Sequence, residues 1–540
     1  MKLQYLVFLL FVCFNVFSQD EDAWVYFKDK PNATTFLTNP LTMLTQRALD
    51  RRIAQNIPLD ILDVPVFEWY INQITSSTGI SVKAKSKWLN CLHIRGTQTN
   101  INTLKALPFV DRIDFAQRVL NTAKLTSAKK VSYLPVKKTV NTAVDFQYGN
   151  SYNQIQMLNG HLLHQLNYTG SGKIIAVLDS GFPNVDTAQP FQRLINNGLI
   201  LGGYNFVTKS SNFYSSDSHG TSVLSFMGGY AAGQLVGTAP DASYYLFVTE
   251  DTNTENPVEE SNWVEAAEEA DRLGVDIITS SLGYFGYDNT NYSYAYSDMT
   301  GNSAFASRGA NIAFSKGIIV VASAGNEGAS SEPHIGVPAE ALNVIAVGAV
   351  KSDETYASFS SIGPSFDNRV KPDVMAQGDN PYFSNVSGVI TNNQSGTSYS
   401  CPITAGLIAC LWQALPTLTN NQIKQLIIQS ADQFATPTIQ FGYGIPDFNL
   451  ALSNGLSTIT FPEPDSFIYP NPTNDCISFK LPKTSSLGWI SIYNALGQMV
   501  LESKITSQLQ TVYLQSLEKG IYFYKIEFDN FLKRGKILKQ

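Results

Sequence analysis

The sequence contains few of the residues that build a disulfide framework. Only five of its 540 residues are cysteines, and Cys13 lies within an apolar N-terminal run. The other four, Cys91, Cys401, Cys410 and Cys476, are scattered along the chain. Cys401 and Cys410 fall on one predicted helix, about 13 Å apart at its rise per residue, which is beyond disulfide reach. No disulfide framework is expected, and both are interpreted as core residues.

The chain also lacks an excess of positive charge. Lysine and arginine total 37 against 44 aspartates and glutamates, a formal net charge of -7, and the lysines and arginines form no basic block. Nucleic acid is therefore not expected as a partner. With 44% apolar and 15% charged residues the composition is that of a globular protein. The length predicts several domains.

The one long apolar run lies at the N-terminus. It follows Lys2, extends from Tyr5 to about Phe17, and ends near the small residues Val16 and Ser18. This pattern predicts a secretory signal peptide over residues 1–18. The alternative, an uncleaved membrane anchor, needs about 18 to 20 apolar residues and is disfavoured because this run is shorter.

Residues 19–145 are interpreted as a small α+β domain followed by an exposed connector. Strand-like segments alternate with helical ones: strands at Trp24–Lys28, Ile80–Lys85 and Leu89–Arg95, helices at Leu41–Gln55 and Asn102–Leu107. Residues 456–466 are expected to be a linker. Residues 467–540 show alternating segments separated by turns, which predicts a small β-sandwich.

Residues 146–455 contain short β-branched runs with helical segments between them. The runs are Ile174–Leu178, Val275–Thr279, Ile318–Ala322 and Val344–Val350. Runs without alternation are typical of strands buried on both faces, so an α/β domain with a parallel sheet covered by helices is expected. Functional groups of such folds collect at the carboxyl ends of the strands. Asp179, Ser280–Gly283, Gly325 and Asn326 occupy those places in the sequence.

Histidine is scarce, with five in the chain. His219 alone lies among small residues, in DSHGTSV, where Gly220 allows close backbone approach and a helix can start. His161 and His164 are three residues apart and in principle share a helix face for a metal, but no third ligand is evident, so a structural role is favoured.

Ser398 lies in GTSYSCP, where Gly396 is expected to permit an unusual backbone and Pro402 to occupy the first turn of a helix.

Taken together, five motifs resemble those of the subtilisin-like serine proteases. They are VLDSGF (residues 177–182), HGTSV (219–223), SLG (281–283), SAGNEG (323–328) and GTSYSCP (396–402). Their order along the chain, Asp then His then Ser, is that of this family. The resemblance covers roughly residues 146–455. It implies a subtilisin-like fold and a serine endopeptidase that acts on peptides.

The resemblance also implies roles for individual residues. Ser398 would be the nucleophile, His219 the general base and acid, and Asp179 the carboxylate that orients His219. Asn326 would complete the oxyanion hole. The residues expected to bind substrate are Ser281, Leu282, Gly283, Ala324 and Gly325.

No cofactor is expected for the chemistry, and no metal ligands are assigned. After His219 the chain is short and lacks acidic residues, so the loop that binds calcium in several subtilisins is not expected there. A structural calcium ion elsewhere in the protein is kept as an alternative, with no ligands assigned. The insertion Phe285–Asn302 carries scattered aspartates and asparagines, and is interpreted as a polar surface loop in preference to a calcium site.

The flanking domains resemble known units too. The first resembles the inhibitory propeptides of the same family, which implies a zymogen cut between about Asp114 and Gly149. The last, with YPNPTND (residues 469–475) and a basic end, resembles sorting domains of the type IX secretion system. Export across the outer membrane to the medium or cell surface is therefore expected. The expected partners are peptide or protein substrates, the chain's own propeptide and the secretion machinery, and the enzyme is expected to be a monomer.

Two competing interpretations have different consequences. A catalytically inactive subtilisin fold that serves as a surface binding protein would need none of the four residues Asp179, His219, Ser398 and Asn326, yet all four are present. An esterase of the α/β-hydrolase type would need G-x-S-x-G and the order Ser, Asp, His, and neither is found.

Overall fold

The β-branched runs form the centre of a seven-stranded parallel sheet, as predicted. The computed structural model describes residues 19–121, 146–458, 468–469, 473–480, 488–505, 509–528 and 531–540. They form two compact units that divide between Leu456 and Ser457. We call residues 19–121 the N-terminal layer, residues 146–456 the central domain, and the residues from 468 onward the C-terminal unit.

The N-terminal layer contains four strands and four α-helices. The strands are β1 (Asp20–Phe27), β2 (Ile80–Ser86), β3 (Cys91–Thr97) and β4 (Val110–Phe115). The helices are α1 (Ala33–Thr38), α2 (Gln46–Ala54), α3 (Glu68–Thr75) and α4 (Gln98–Thr103). The sheet order is β2-β3-β1-β4, and the strand pairs are antiparallel.

The central domain contains the remaining helices and eleven strands within the described residues. The strands are β5 (Ile174–Asp179), β6 (Ile200–Asn205), β7 (Tyr230–Ala231), β8 (Leu235–Val236), β9 (Ser243–Val248), β10 (Ile277–Ser280), β11 (Ile319–Ser323), β12 (Ile345–Val350), β13 (Val374–Gln377), β14 (Phe383–Ser384) and β15 (Ile390–Thr391). The helices are α5 (Tyr152–Gln156), α6 (Gly160–Gln165), α7 (Gln192–Asn196), α8 (His219–Gly228), α9 (Val258–Leu273), α10 (Phe305–Ser315), α11 (Thr397–Ala414), α12 (Asn420–Gln429) and α13 (Phe448–Thr458).

The main sheet has the order β13-β12-β11-β10-β5-β9-β6, and its strand pairs are parallel. Alternate side chains of β5 enter two cores: Ile175 and Val177 pack with α8 and α11, whereas Ala176 and Leu178 pack with α9 and α10. Both faces are thus covered by helices, which explains why the runs lack a polar alternation. The predicted fold class is confirmed.

Two local expectations about α11 were wrong. The helix begins at Thr397, so Pro402 lies inside it rather than in its first turn. Gly396, the residue before the helix, has φ 167° and ψ 153°, an extended conformation open to any residue. The expectation for the two cysteines is confirmed, because Cys401 and Cys410 are fully buried free thiols on this helix.

The N-terminal layer packs on α9 and α10 through one face of its sheet. Along β1, Ala23 and Val25 belong to the layer's own core, while Trp24 and Tyr26 join the cluster that contains α9 and α10. Successive side chains of a strand point to opposite faces of the sheet, which separates these two pairs of residues. The sequence did not predict α3 or β4, and placed helix α4 four residues too late.

Buried charges add a second contact, between α2 and the end of α9. Arg52 Nη2 lies 2.8 Å from Asp271 Oδ2 and 3.0 Å from Asp63 Oδ1, and Arg51 also pairs with Asp271. The Asp271 side chain is fully buried. Burial alone would raise its pKa, but the two guanidinium groups outweigh burial and lower it. The contact therefore depends on a charged Asp271.

The insertion Phe285–Asn302 is more than a polar surface loop. Tyr287 and Tyr292 are buried, and the Tyr287 hydroxyl donates to Glu260 Oε1 at 2.7 Å. The Tyr292 hydroxyl donates to Glu21 of the N-terminal layer at 3.0 Å. The polar-loop interpretation was wrong for these side chains, because their rings fill the space between α9 and the N-terminal layer.

The C-terminal unit contains strands joined by turns, and no helix, within its described residues. Its strands are β16 (Ile468–Tyr469), β17 (Cys476–Lys480), β18 (Gly488–Tyr493), β19 (Met499–Ile505), β20 (Leu509–Tyr513), β21 (Gly520–Phe528) and β22 (Phe531–Lys539). They form two antiparallel sheets with the orders β16-β17-β20 and β19-β18-β21-β22. Two sheets agree with the predicted sandwich.

Several sequence predictions concern residues outside the described ranges. They are the signal peptide over 1–18, most of the connector before residue 146, and most of the linker over 456–466. The predicted domain boundaries stay predictions. Within the described part of the chain, no helix has the length and apolar character needed to cross a membrane.

Replacing Asp271 with asparagine should loosen the N-terminal layer. Removing one partner of a buried ion pair costs about 3–5 kcal/mol, because the arginines left behind stay buried without their counter-charge. The unfolding free energy of the layer should fall by about that amount, measured by urea unfolding of the full chain with tryptophan fluorescence from Trp24 and Trp88. The Asp111→Asn control, at a half-exposed carboxylate, should change it by about 0.5 kcal/mol or less. Equal effects of both variants would contradict a buried electrostatic anchor.

Candidate active site

The predicted catalytic residues gather at the carboxyl edge of the main sheet. Asp179 is the last residue of β5, and Ser281 directly follows β10. These strands are neighbours, with Leu178 opposite Ser280. The strand order reverses between them, since β6 and β9 lie on one side of β5 and β10 to β13 on the other. Such a reversal opens a crevice at the strand ends, and ligands bind there in α/β sheets.

Asp179 and His219 form a direct hydrogen bond. The distance from His219 Nδ1 to Asp179 Oδ1 is 2.7 Å, and the carboxylate is fully buried. The same oxygen accepts from the Ser180 backbone N–H at 2.8 Å. A carboxylate partner holds the proton on Nδ1 of neutral His219 and leaves Nε2 unprotonated, as a general base requires.

Gly220 lets the start of α8 approach β5. A Cβ atom at this position would lie 2.4 Å from the Gly181 carbonyl oxygen and 2.9 Å from Asp179 Cβ. Such distances are too short for any side chain, so glycine is required for the His219 backbone to come this close. The predicted reason for Gly220 is therefore confirmed. Asp217, which sequence reasoning missed, accepts from the His219 backbone N–H at 2.8 Å.

Opposing effects set the pKa of His219. Burial disfavours the imidazolium and alone would lower the pKa. The charge of Asp179 and its hydrogen bond act in the opposite direction, with smaller contributions from Asp217 and Glu250, and the pKa is raised overall. The site therefore favours the proton-accepting role of His219.

Ser398 is the second residue of α11, where backbone N–H groups have no partner within the helix. Its hydroxyl donates to the Ser281 carbonyl oxygen at 3.2 Å. Among the described hydrogen bonds of Ser398 Oγ none goes to His219, so the expected contact between hydroxyl and imidazole is not made in this state. Catalytic hydrogen bonds often form only when substrate is bound. Ser281, the residue that Ser398 contacts, lines one cavity together with His219.

Asn326 is held by the residue before Ser398. Its Oδ1 accepts from the Thr397 backbone N–H at 2.9 Å and from the Thr397 hydroxyl at 3.1 Å. The amide Nδ2 is thereby turned away from Thr397. A Cβ atom at Gly396 would lie 3.6 Å from that Nδ2 and 3.7 Å from the Ser398 backbone N. Both donors therefore border the space beside Gly396, and its lack of a side chain keeps that space open.

The predicted substrate-binding residues fall into two places. Leu282 and Gly283 line the cavity that contains His219 and Ser281. Gly325 has φ +107°, and a Cβ there would lie 2.7 Å from Ser361 Oγ, so glycine is needed. Ala324 is buried, and its backbone N–H donates to the Val347 carbonyl oxygen at 3.0 Å.

The cavity beside His219 has a volume of about 360 Å³ and an acidic wall that sequence reasoning missed. Glu250, Asp251 and Glu255 line it, and the Tyr284 hydroxyl donates to Glu250 at 2.6 Å. Burial raises the pKa of Glu250 to about 8. The sequence did contain one indication that Glu250 belongs to the site. It lies two residues beyond the end of β9, and functional groups collect at the carboxyl ends of such strands. A cavity of about 650 Å³ lies elsewhere, between β2 and α9, and contains none of the predicted catalytic residues.

The other histidines have structural contacts. His164 is fully buried between the Tyr148 hydroxyl at 2.8 Å and the Thr238 carbonyl at 2.9 Å, and burial lowers its pKa to about 4. Within the described ranges no group of three or more histidine, cysteine, aspartate or glutamate side chains is arranged to hold a metal ion. His161 and His164 are therefore not part of such a group.

Comparison with protein families gives three matches along the chain. Residues 170–445 match the subtilase family of peptidases. Residues 22–132 match a peptidase propeptide domain of the Bacteroidota, and residues 467–540 match a secretion system C-terminal sorting domain.

Individual relatives agree with the first match. Over 295 residues the chain is 32% identical to subtilisin NAT of Bacillus subtilis subsp. natto, covering 54% of this chain and 68% of that protein. It is 28% identical over 341 residues to the serine protease AprX of Bacillus subtilis, covering 57% and 71%. A crystal structure of the epidermin leader peptide processing serine protease of Staphylococcus aureus shares the fold, with a TM-score of 0.53 and 16% identity over 81% of this chain and 98% of that one.

The raised pKa of His219 should depend on Asp179. In Ser398→Ala protein, which should not digest itself, NMR titration of the imidazole should give a pKa above the ordinary 6.5. Adding Asp179→Asn should move it below 6.5, because burial then acts without the opposing charge. The pKa of His164 should stay in place as an internal control. An unchanged His219 pKa in the asparagine variant would contradict the assigned pair.

Proposed function

Since the chain belongs to the subtilase family of serine endopeptidases, we propose that Ser398, His219 and Asp179 are its catalytic triad. The observation that carries the proposal is the 2.7 Å bond between a fully buried Asp179 and His219. A lone histidine beside a cleft has many uses. A histidine whose Nδ1 is held by a buried carboxylate is suited to acyl transfer when a serine lies nearby. Here Ser398, at the start of a helix, contacts Ser281, which lines the same cavity as His219.

The reaction begins when Ser398 Oγ turns from the Ser281 carbonyl toward His219 Nε2. Oγ attacks the scissile carbonyl carbon while its proton passes to Nε2, and Asp179 stabilises the imidazolium that forms. His219 then gives this proton to the leaving amine as the C–N bond breaks, which leaves an ester on Ser398. Water attacks the ester with His219 again as base, and the acid product leaves. Subtilases need no cofactor for this chemistry.

The developing oxyanion would lie beside Gly396, between Asn326 Nδ2 and the Ser398 backbone N–H. Thr397 supports this by holding the Asn326 carbonyl oxygen, so the amide donates without reorganising during the reaction. The partial positive charge at the start of α11 favours the same anion.

Peptide substrates would bind in extended conformation along the Ser281–Gly283 edge, with Ala324 and Gly325 opposite. Pairing with a strand edge fixes the peptide through its main chain, which suits an endopeptidase with protein substrates. The substrates are peptides as a class. Structural calcium is not assigned, since no ligand set is recognised in the described residues.

An activity-based probe tests the triad. A fluorophosphonate should label the processed enzyme at Ser398, mapped by mass spectrometry, and Ser398→Ala should abolish labelling while the exposed neighbour Ser395→Ala keeps it. Asn326→Ala should slow labelling by about 100- to 1000-fold, the range known for such an oxyanion donor in subtilisin. Correctly processed protein that does not label would instead favour a catalytically inactive subtilisin fold that serves as a surface binding protein.

The flanking units support proposals about how the protein is exported and how its activity is regulated. The sorting domain implies export to the surface or the medium. We propose that the N-terminal layer is an inhibitory propeptide, removed by a cut between Asp114 and Gly149. Its sheet packs on α9 and α10, and the buried ion pair between Arg52 and Asp271 adds a charged contact. The proposed domains are 1–18, 19–145, 146–455, 456–466 and 467–540.

Mass spectrometry of the exported protein tests both units. The active form should begin between residues 115 and 150, because autocatalytic removal of the propeptide exposes the cleft. Chain lacking residues 467–540 should accumulate in the periplasm, compared with full-length protein expressed at the same level. An active enzyme that begins at Gln19 would contradict the zymogen, and normal export of the truncated chain would contradict the sorting role.

A further inference from the structure

The helix that carries Ser398 lacks one of its own hydrogen bonds. In an α-helix the N–H of each residue donates to the carbonyl four residues before it. Pro402 lies within α11 and has no N–H. The carbonyl that loses its donor is therefore that of Ser398, the proposed nucleophile.

A side chain from another element supplies the missing donor. Ser281 Oγ donates to the Ser398 carbonyl oxygen at 2.8 Å across 117 residues of sequence. Ser281 is 6% exposed, so water does not readily replace it. In return Ser398 Oγ donates to the Ser281 carbonyl at 3.2 Å. The two serines are thus joined twice.

The contact is part of a close junction between β10 and α11. One turn along the helix, Cys401 Sγ lies 3.4 Å from Thr279 Oγ1 and 3.7 Å from the Ser280 carbonyl oxygen. Trp263 Nε1 donates to Ser280 Oγ at 2.9 Å. These contacts hold Thr279, Ser280 and Cys401 in place. The Ser281 hydroxyl differs from them because it donates directly to the Ser398 backbone carbonyl.

We propose that the Ser281 side chain is a positioning residue for the nucleophile. Its hydroxyl replaces the helical hydrogen bond that Pro402 removes, and so fixes the Ser398 peptide unit relative to β10. The Ser398 Cα joins this peptide unit to the Ser398 N–H and bears the side chain with Oγ, so a small displacement of the carbonyl would misplace both the nucleophile and the oxyanion donor. This inference rests on the proposed catalytic role of Ser398. It adds a side-chain role to a residue assigned above only through its main chain.

Ser281→Ala leaves the substrate-pairing backbone in place and removes only the donor. We expect kcat to fall about 10- to 100-fold, because a misplaced nucleophile costs rate steeply and a buried carbonyl is left unpaired. KM should change less than about threefold, because the peptide-binding main chain is retained. Ser281→Thr, which keeps the hydroxyl, should retain most of kcat.

The decisive comparison uses Pro402→Ala, which gives α11 the N–H that it lacks. In that background the Ser398 carbonyl has a helical donor, so Ser281→Ala should lower kcat less than about threefold. An equal loss of kcat in both backgrounds, or none in the wild-type background, would overturn the inference. A loss explained by fewer labelled active sites or a lower unfolding midpoint would also overturn it, because that is a stability effect.

The variants keep the two proposals separable. Fluorophosphonate labelling of the wild-type enzyme is measured first, and absence of labelling rejects the triad and this inference together. With the wild type labelled, a Ser281→Ala enzyme of unchanged kcat rejects the positioning role alone. If Pro402→Ala does not fold, the threonine variant decides: kcat near that of the wild type supports the inference, and kcat as low as that of alanine overturns it.

Discussion

The carboxyl edge of the parallel sheet is the constraint on which the candidate site depends. Parallel strands bring all their carboxyl ends to one edge, and the reversal of order between β5 and β10 opens a crevice there. Asp179 ends one of the two strands that border the crevice, and Ser281 directly follows the other. Helix α8 begins at His219, and Ser398 is the second residue of α11, so both side chains project from helix starts. Groups far apart in sequence therefore meet without any local motif joining them.

Around the proposed reacting groups, each is held by a partner that does no chemistry. Thr397 fixes the Asn326 amide, Asp217 caps the His219 backbone, and Ser281 contacts the Ser398 peptide unit. Such contacts matter because a reacting group displaced by about 1 Å loses much of its rate advantage. The short motifs around the triad thus contain both reacting groups and the side chains that orient them.

Buried charge serves a different purpose where the N-terminal layer meets the central domain. Glu268 of α9 accepts from the Ser86 hydroxyl and from the Lys87 and Trp88 backbone N–H groups, which holds a turn of the layer. Burial raises the pKa of Glu268 to about 7, whereas paired Asp271 on the same helix has a lowered pKa. Two acids on one helix thus respond oppositely, because only Asp271 has arginines beside it. An interface built on such contacts is specific, because each buried charge needs its own partner.

The sequence by itself determined the fold class, the sheet core and the candidate triad. Strands buried on both faces leave continuous apolar runs. In HGTSV, Gly220 marks a close approach of two backbones. Only the tertiary structure decided where α11 begins, that Tyr287 and Tyr292 are buried, and that Glu250 lies in the cavity beside His219. It also revealed that Ser281 replaces the donor missing at Pro402. Local patterns encode burial along one element, whereas these contacts join residues distant in sequence and depend on how the elements pack.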